Sequence, residues 1–117
     1  MTGIDIRHFI NNLTIEENHI THLTADGPAD FSSAEGICIS SESITDLDIA
    51  QNTIEEVETE NGFFGEDIKI EPDADVSGIE IHENNLLSDI GLNNANGDNP
   101  EVDAEDNFWN DEDGPIV

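Results

Sequence analysis

The chain has 117 residues, with 29 Asp and Glu against 2 Lys and Arg, for a formal net charge of −27. Such a surface repels phosphate and anionic lipid, which argues against a nucleic-acid binder, and no apolar run approaches the about 20 residues of a membrane-spanning helix. The single cysteine, Cys38, makes neither an intramolecular disulfide nor a zinc site by itself.

Taken in chain order, the predicted elements are short strands with apolar residues at alternate positions. Gly, Asn, Thr and Ile dominate, and few windows carry the i, i+3, i+4 stripe of a helix. Ile4-Asp5-Ile6 is followed by Leu13-Thr14-Ile15, then Ile37-Cys38-Ile39 by Leu47-Asp48-Ile49. Ile68-Lys69-Ile70 is followed by Ile79-Glu80-Ile81, and Ile90-Gly91-Leu92 by Val102-Asp103-Ala104. One unit of two apolar-x-apolar strands thus occurs four times, with starts at 4, 37, 68 and 90.

A second regularity accompanies the first. Five residues after the start of each second strand stands an asparagine: Asn18, Asn52, Asn84 and Asn107. Two residues later comes a large apolar side chain, Ile20, Ile54, Leu86 or Trp109. Asn makes up only 13 of the 117 residues, so its place in all four units is informative. The shortest unit, 22 residues from 68 to 90, suits a coil of three short strands joined by turns. Coils stacked about 4.8 Å apart would set like residues above one another. The Ile columns would form a narrow core, and the asparagines a structural ladder of bonded amides. Asn also tolerates the left-handed conformation of a sharp bend, which places that column at a tight turn.

The pattern I-x-I, a gap, then L/V/I-x-I-x-x-N-x-I/L resembles the coil of right-handed parallel β-helix repeat proteins, the pectate-lyase-like superfamily. The segment from Asp106 to Pro115 is similar to the Asn-x-Trp…Asp-Gly-Pro ending of such repeats in archaeal and bacterial surface proteins, with Asn110 where Gly is common. The resemblance spans Ile4 to Pro115. It implies an all-β fold, a right-handed parallel β-helix (solenoid) of about four coils with two inserted loops. It also implies a secreted or cell-surface setting, although the start Met-Thr-Gly-Ile-Asp has no signal-peptide character. The scaffold hosts lyases, hydrolases, epimerases, adhesins and non-catalytic repeats, so it does not fix an activity.

Against a 22-residue coil, the first two units carry 11 and 9 extra residues, giving inserted loops at 24–36 and 58–67 on one face. Phe31, Phe63 and Phe64 lie on them and are the candidate ligand-binding residues; they either stack on sugar rings or fold back over the side of the solenoid. Residues 1–117 read as a single domain, with 106–117 as a C-terminal cap built on Phe108, Trp109 and the Gly114-Pro115-Ile116-Val117 tail. The N-terminal coil has no cap. The chain is therefore expected to be the C-terminal part of a longer solenoid, or to self-associate or dock through that coil.

The middle residues of the second strands point outward and form a column: Thr14, Asp48, Glu80 and Asp103. Asp48, Glu80 and Asp103 are the candidate catalytic residues, since stacked carboxylates raise a pKa or hold a cation. The acidic surface also offers sites to Ca2+ or to bulk K+ and Na+; no resident metal or cofactor is expected. A lyase further needs a cation to stabilise an enolate-like intermediate. Only Arg7 and Lys69 are available, and Lys69 is placed in the column Asp5, Cys38, Lys69, Gly91, among acids. His19 and His22, three apart, form a weak pair of metal ligands; His8 and His82 join no cluster.

Acids spread through the chain between patterned Ile residues indicate a folded protein with a carboxylate coat. Mutual repulsion opposes compaction at low salt and fades at molar salt, where the Debye length is about 3 Å. The composition thus resembles that of halophile proteins. The expected function is a non-catalytic repeat scaffold that binds carbohydrate or another protein through its two loops. The alternative is a fragment of a polysaccharide lyase or glycoside hydrolase with an acidic strand face, and a more distant one is an acidic decoy for a basic partner.

Overall fold

The computed structural model describes residues 1–26, 33–60, 65–96 and 102–109. Their regular structure is all β. In chain order the strands are β1 (Thr2–Ile6), β2 (Phe9–Ile10), β3 (Leu13–Glu16), β4 (His19–Ala25), β5 (Glu35–Ile39), β6 (Ser43–Ile44) and β7 (Leu47–Ala50). There follow β8 (Thr53–Thr59), β9 (Glu66–Ile70), β10 (Ile79–His82), β11 (Asn85–Leu86), β12 (Ile90–Asn94) and β13 (Phe108–Trp109). No described helix is long and apolar enough to cross a membrane.

Among the described residues the strands pair only in parallel, in three sheets and one short pair: β1-β5-β9-β12, β3-β7-β10, β4-β8-β11-β13 and β2-β6. Parallel neighbours need long connections. Here the connection from β1 to β5 passes through β2, β3 and β4, each in a different sheet. The next stretch repeats the order, with β5, β6, β7 and β8.

Registry puts like on like. Ile4, Ile37, Ile68 and Leu92 are level, as are Ile15, Ile49 and Ile81, and Ile20, Ile54, Leu86 and Trp109. Ile37, Ile39, Leu47, Ile49, Ile54, Ile68, Ile70, Ile81 and Leu86 are fully buried. Each such side chain contributes about 1.5–3 kcal/mol of hydrophobic stabilisation, and β-branched Ile suits a pleated, half-buried surface.

The four asparagines stand in one bonded file beside this core. Asn18 Nδ2 lies 3.0 Å from Asn52 Oδ1, Asn52 Nδ2 3.0 Å from Asn84 Oδ1, and Asn84 Nδ2 3.0 Å from Asn107 Oδ1. The main-chain N–H groups of Asn18, Asn52 and Asn84 donate to the same three oxygens. Asn52 and Asn84 are buried, and their amides also donate to the carbonyls of Ile15 and Ile49. The left-handed residue of the turn is not the asparagine but its predecessor. Glu17, Gln51, Glu83 and Asp106 have φ of 56°, 57°, 56° and 58°. The bend is made one residue earlier, which leaves each carboxamide free to turn inward and pair.

Two sequence expectations need correction. The partner of Ile68 is Leu92, and Asn93 lies beside Lys69, so the outward column is Asp5, Cys38, Lys69, Asn93 and not Gly91. Ile90-Gly91-Leu92 imitates the repeat, but Asn94 occupies the position level with Ile70. The inserted loops are shorter than 24–36 and 58–67. Thr24 and Ala25 extend β4, Glu35 and Gly36 open β5, Glu58 and Thr59 extend β8, and Glu66 and Asp67 open β9. Phe108 and Trp109 form a strand paired with β11, with Phe108 exposed. The tail at 110–117 lies outside the described residues.

Gly3, Gly36 and Gly91 are level with Asp67 along the first sheet. A Cβ on Gly36 would stand 2.6 Å from the Asp67 carbonyl oxygen and 2.7 Å from Ile54 Cγ2. On Gly91 it would stand 2.7 Å from Trp109 Cε3. Asp67 is itself fully buried. Its Oδ2 accepts the Ser88 N–H at 3.0 Å, Ser88 Oγ accepts the Val57 N–H at 3.0 Å, and Oδ1 has no partner.

Candidate functional site

The outward face of the β3-β7-β10 sheet gathers the most chemistry. Alternation turns Leu47 and Ile49 of β7, and Ile79 and Ile81 of β10, into the core. Asp48 and Glu80 therefore face out. They are Cα partners on adjoining strands, with Thr14 of β3 beside Asp48 and Asp103 bridged to Glu80. The column Thr14, Asp48, Glu80, Asp103 is thus contiguous along the sheet.

His82, two residues beyond Glu80, emerges on the same face. Its Nε2 lies 2.7 Å from Asp48 Oδ1, a diagonal contact between β10 and β7. One ligating atom each from Asp48, Glu80 and His82 falls within 4.8 Å of the others. The hydrogen bond to Asp48 raises the His82 pKa; desolvation works against this, and the charges of Asp48, Glu83 and Glu80 add to the rise. Sequence reasoning left His82 outside any cluster. The signal was its spacing of two from Glu80, which becomes legible once the faces of β7 and β10 are matched. Beside the column runs an open groove lined by Asp46, Asp75, Ser77, Glu80 and Asp103. The Ile44 N–H, then Ser77, holds the Asp75 carboxyl below the usual range.

The other candidates are dispersed. His19 pairs with Glu55 at 3.1 Å and His22 with Glu56 at 2.6 Å, so the two imidazoles serve separate carboxylates. Arg7 pairs with Asp5 at 2.7 Å. Lys69 lies on the first sheet, 3.7 Å from Glu71 and 3.9 Å from Glu35. Burial works against its charge, but Glu66, Glu71 and Glu35 outweigh that and raise its pKa. Both strong cations therefore belong to the β1-β5-β9-β12 side, away from the Asp48–Glu80 column. Cys38 donates to Glu71 at 3.4 Å; burial, then that bond and nearby acids, push its thiol up to about 12. Phe31, Phe63 and Phe64 lie outside the described residues.

No family model, curated protein or solved structure matches the chain.

Proposed function

We propose that the chain is a right-handed parallel β-helix of the pectate-lyase-like type, acting as a non-catalytic repeat scaffold in a halophile. The observation that carries this reading is the file Asn18, Asn52, Asn84, Asn107, bonded in order while the chain returns to the same sheets. A stack held by backbone pairing, Ile columns and an amide ladder needs no compact globular core, and it suits an extended binding surface. The carboxylate coat, at −27 overall, suits molar salt at a cell surface or outside the cell. Carbohydrate or another protein is the proposed ligand, held by the segments between β4 and β5 and between β8 and β9, with Phe31, Phe63 and Phe64 as stacking groups.

Circular dichroism across a KCl series tests the scaffold: β signal should strengthen with salt, and random coil in concentrated KCl would overturn the reading. Glycan binding lost in Phe63→Ala and Phe64→Ala, without turnover, would support the ligand assignment.

A second reading, a fragment of a polysaccharide lyase or glycoside hydrolase, is favoured by Asp48 and Glu80 on adjoining strands with His82 beside them. Retaining glycosidases hold two carboxyl groups about 5–5.5 Å apart. Turnover of uronate polymers, lost in Asp48→Asn and Glu80→Gln, would favour it over the scaffold.

A further inference from the structure

We propose that Asp48, Glu80 and His82 form a binding site for a divalent transition metal of the zinc class, with solvent completing the coordination.

The donor set selects the metal class. An imidazole nitrogen suits zinc and its neighbours, zinc also accepts carboxylate oxygen, and three protein ligands leave a position for solvent. Calcium prefers six to eight oxygens and gains nothing particular from an imidazole. The imidazole also separates this group from the carboxylates scattered over the rest of the surface. Elsewhere a histidine meets one acid, as His19 meets Glu55 and His22 meets Glu56. Here His82 pairs with Asp48 at 2.7 Å, and a second carboxylate, Glu80, has an oxygen within 4.8 Å.

The geometry needs little change. A tetrahedral ion with bonds of about 2.0–2.1 Å places its ligand atoms about 3.3 Å apart. His82 Nε2 and Asp48 Oδ1 stand at 2.7 Å, and no pair among the three ligand atoms exceeds 4.8 Å. Side-chain rotation of about 1 Å, outward for the first pair and inward for Glu80, closes the shell. The backbone stays fixed, because Asp48 and Glu80 are register partners in the parallel β7-β10 pair and their neighbours Ile49 and Ile81 are fully buried. The side chains of Asp48 and His82 remain 38% and 35% exposed, so an ion and its water have a path in. Asp103 is bridged to Glu80 on the next rung of the same column.

The site also answers an electrostatic problem. Asp48 and Glu80 are forced side by side by registry, and neither Arg7 nor Lys69 is on their sheet. Protonated His82 relieves one negative charge; a divalent ion bound to neutral His82 relieves two.

The test uses the full chain in concentrated potassium acetate, with Zn2+ and Co2+ as probes. Calorimetry should give one Zn2+ site that Ca2+ does not displace at equal concentration. Co2+ should produce visible bands of a four- or five-coordinate centre and shift the His82 ring protons while leaving those of His8 in place. His82→Gln and Glu80→Gln should each weaken Zn2+ at least tenfold, and His22→Gln should not. Unchanged binding in His82→Gln, equal competition by Ca2+, or no His82 shift with Co2+ would overturn the proposal. These outcomes would mean that ions merely condense on the carboxylates. Circular dichroism of each variant separates loss of ligands from loss of fold, and the Co2+ shifts on the unmodified chain do not depend on any variant folding.

Discussion

Asn52 and Asn84 are joined twice: the main-chain N–H and the side-chain Nδ2 of Asn52 both donate to Asn84 Oδ1, at 2.9 and 3.0 Å. Asn52 Nδ2 also reaches the Ile15 carbonyl at 2.9 Å, and Asn52 Oδ1 receives both donors of Asn18. Removing this carboxamide strands polar groups in a closed interior, where each unsatisfied group costs about 1–3 kcal/mol. Asn52→Ala should therefore lose about 3 kcal/mol in denaturant titrations at molar KCl, whereas Asn18→Ala, at an exposed position, should lose about 1 kcal/mol or less. Equal losses at both positions would show that the file does not act through burial.

Asp67 should make stability fall as pH rises. Burial, only partly offset by Ser88, pushes its carboxyl up to about 7 in the folded chain. The unfolded carboxyl titrates near 3.9. Between those values the folded state holds a proton that the unfolded state has released. Stability is therefore retained below about pH 4, declines towards pH 7 and levels above it, with a ceiling of about 4 kcal/mol. Asp67→Asn removes this contribution. The difference in unfolding free energy between Asp67→Asn and the parent should grow from pH 4 to pH 7 and then stay constant; a flat difference would refute it. Subtracting the parent also cancels the general repulsion among exposed acids.

Gly36 occupies a position where no side chain fits. A Cβ there would meet backbone oxygen at 2.6 Å and Ile54 Cγ2 at 2.7 Å, so Gly36→Ala must push β5 off either β9 or the core. Overpacking of this kind costs about 1–3 kcal/mol. Thermal unfolding at molar KCl should show that loss, and a neutral result would mean that the first sheet has slack along its length.

Cys38 should be inert in the folded chain. With its thiol up at about 12, the thiolate fraction at pH 8 is about a thousandfold below that of a free cysteine near 8.5. Labelling with a thiol reagent should be slow in concentrated KCl and become fast in denaturant. Rapid labelling under folding conditions would place the thiol in solvent.

The stacked plan was legible because its signals repeat. Ile pairs and asparagines recur at nearly fixed offsets, and each of those residue types has one physical reason to be there. The register of β12 was harder, because Ile90-Gly91-Leu92 copies the apolar pattern while the true equivalent of Ile70 is the polar Asn94. The left-handed column was hidden for a different reason. Glu17, Gln51, Glu83 and Asp106 share a backbone conformation without sharing a favourable residue type, since Glu and Gln bear a cost that Asn or Gly would avoid. His82 became part of the candidate site only through a diagonal contact, and a linear pattern does not display diagonals.

The amide file also has a polarity. The shared oxygens of Asn52, Asn84 and Asn107 each accept from the asparagine one rung nearer Asn18, so the three amide–amide bonds run in one direction and their small dipoles add, as peptide dipoles do along a helix. Acids flank both ends of the file, Glu16 and Glu17 beside Asn18 and Glu105 and Asp106 beside Asn107. The stack thus carries its own electric axis, set by the common direction of its amide–amide bonds.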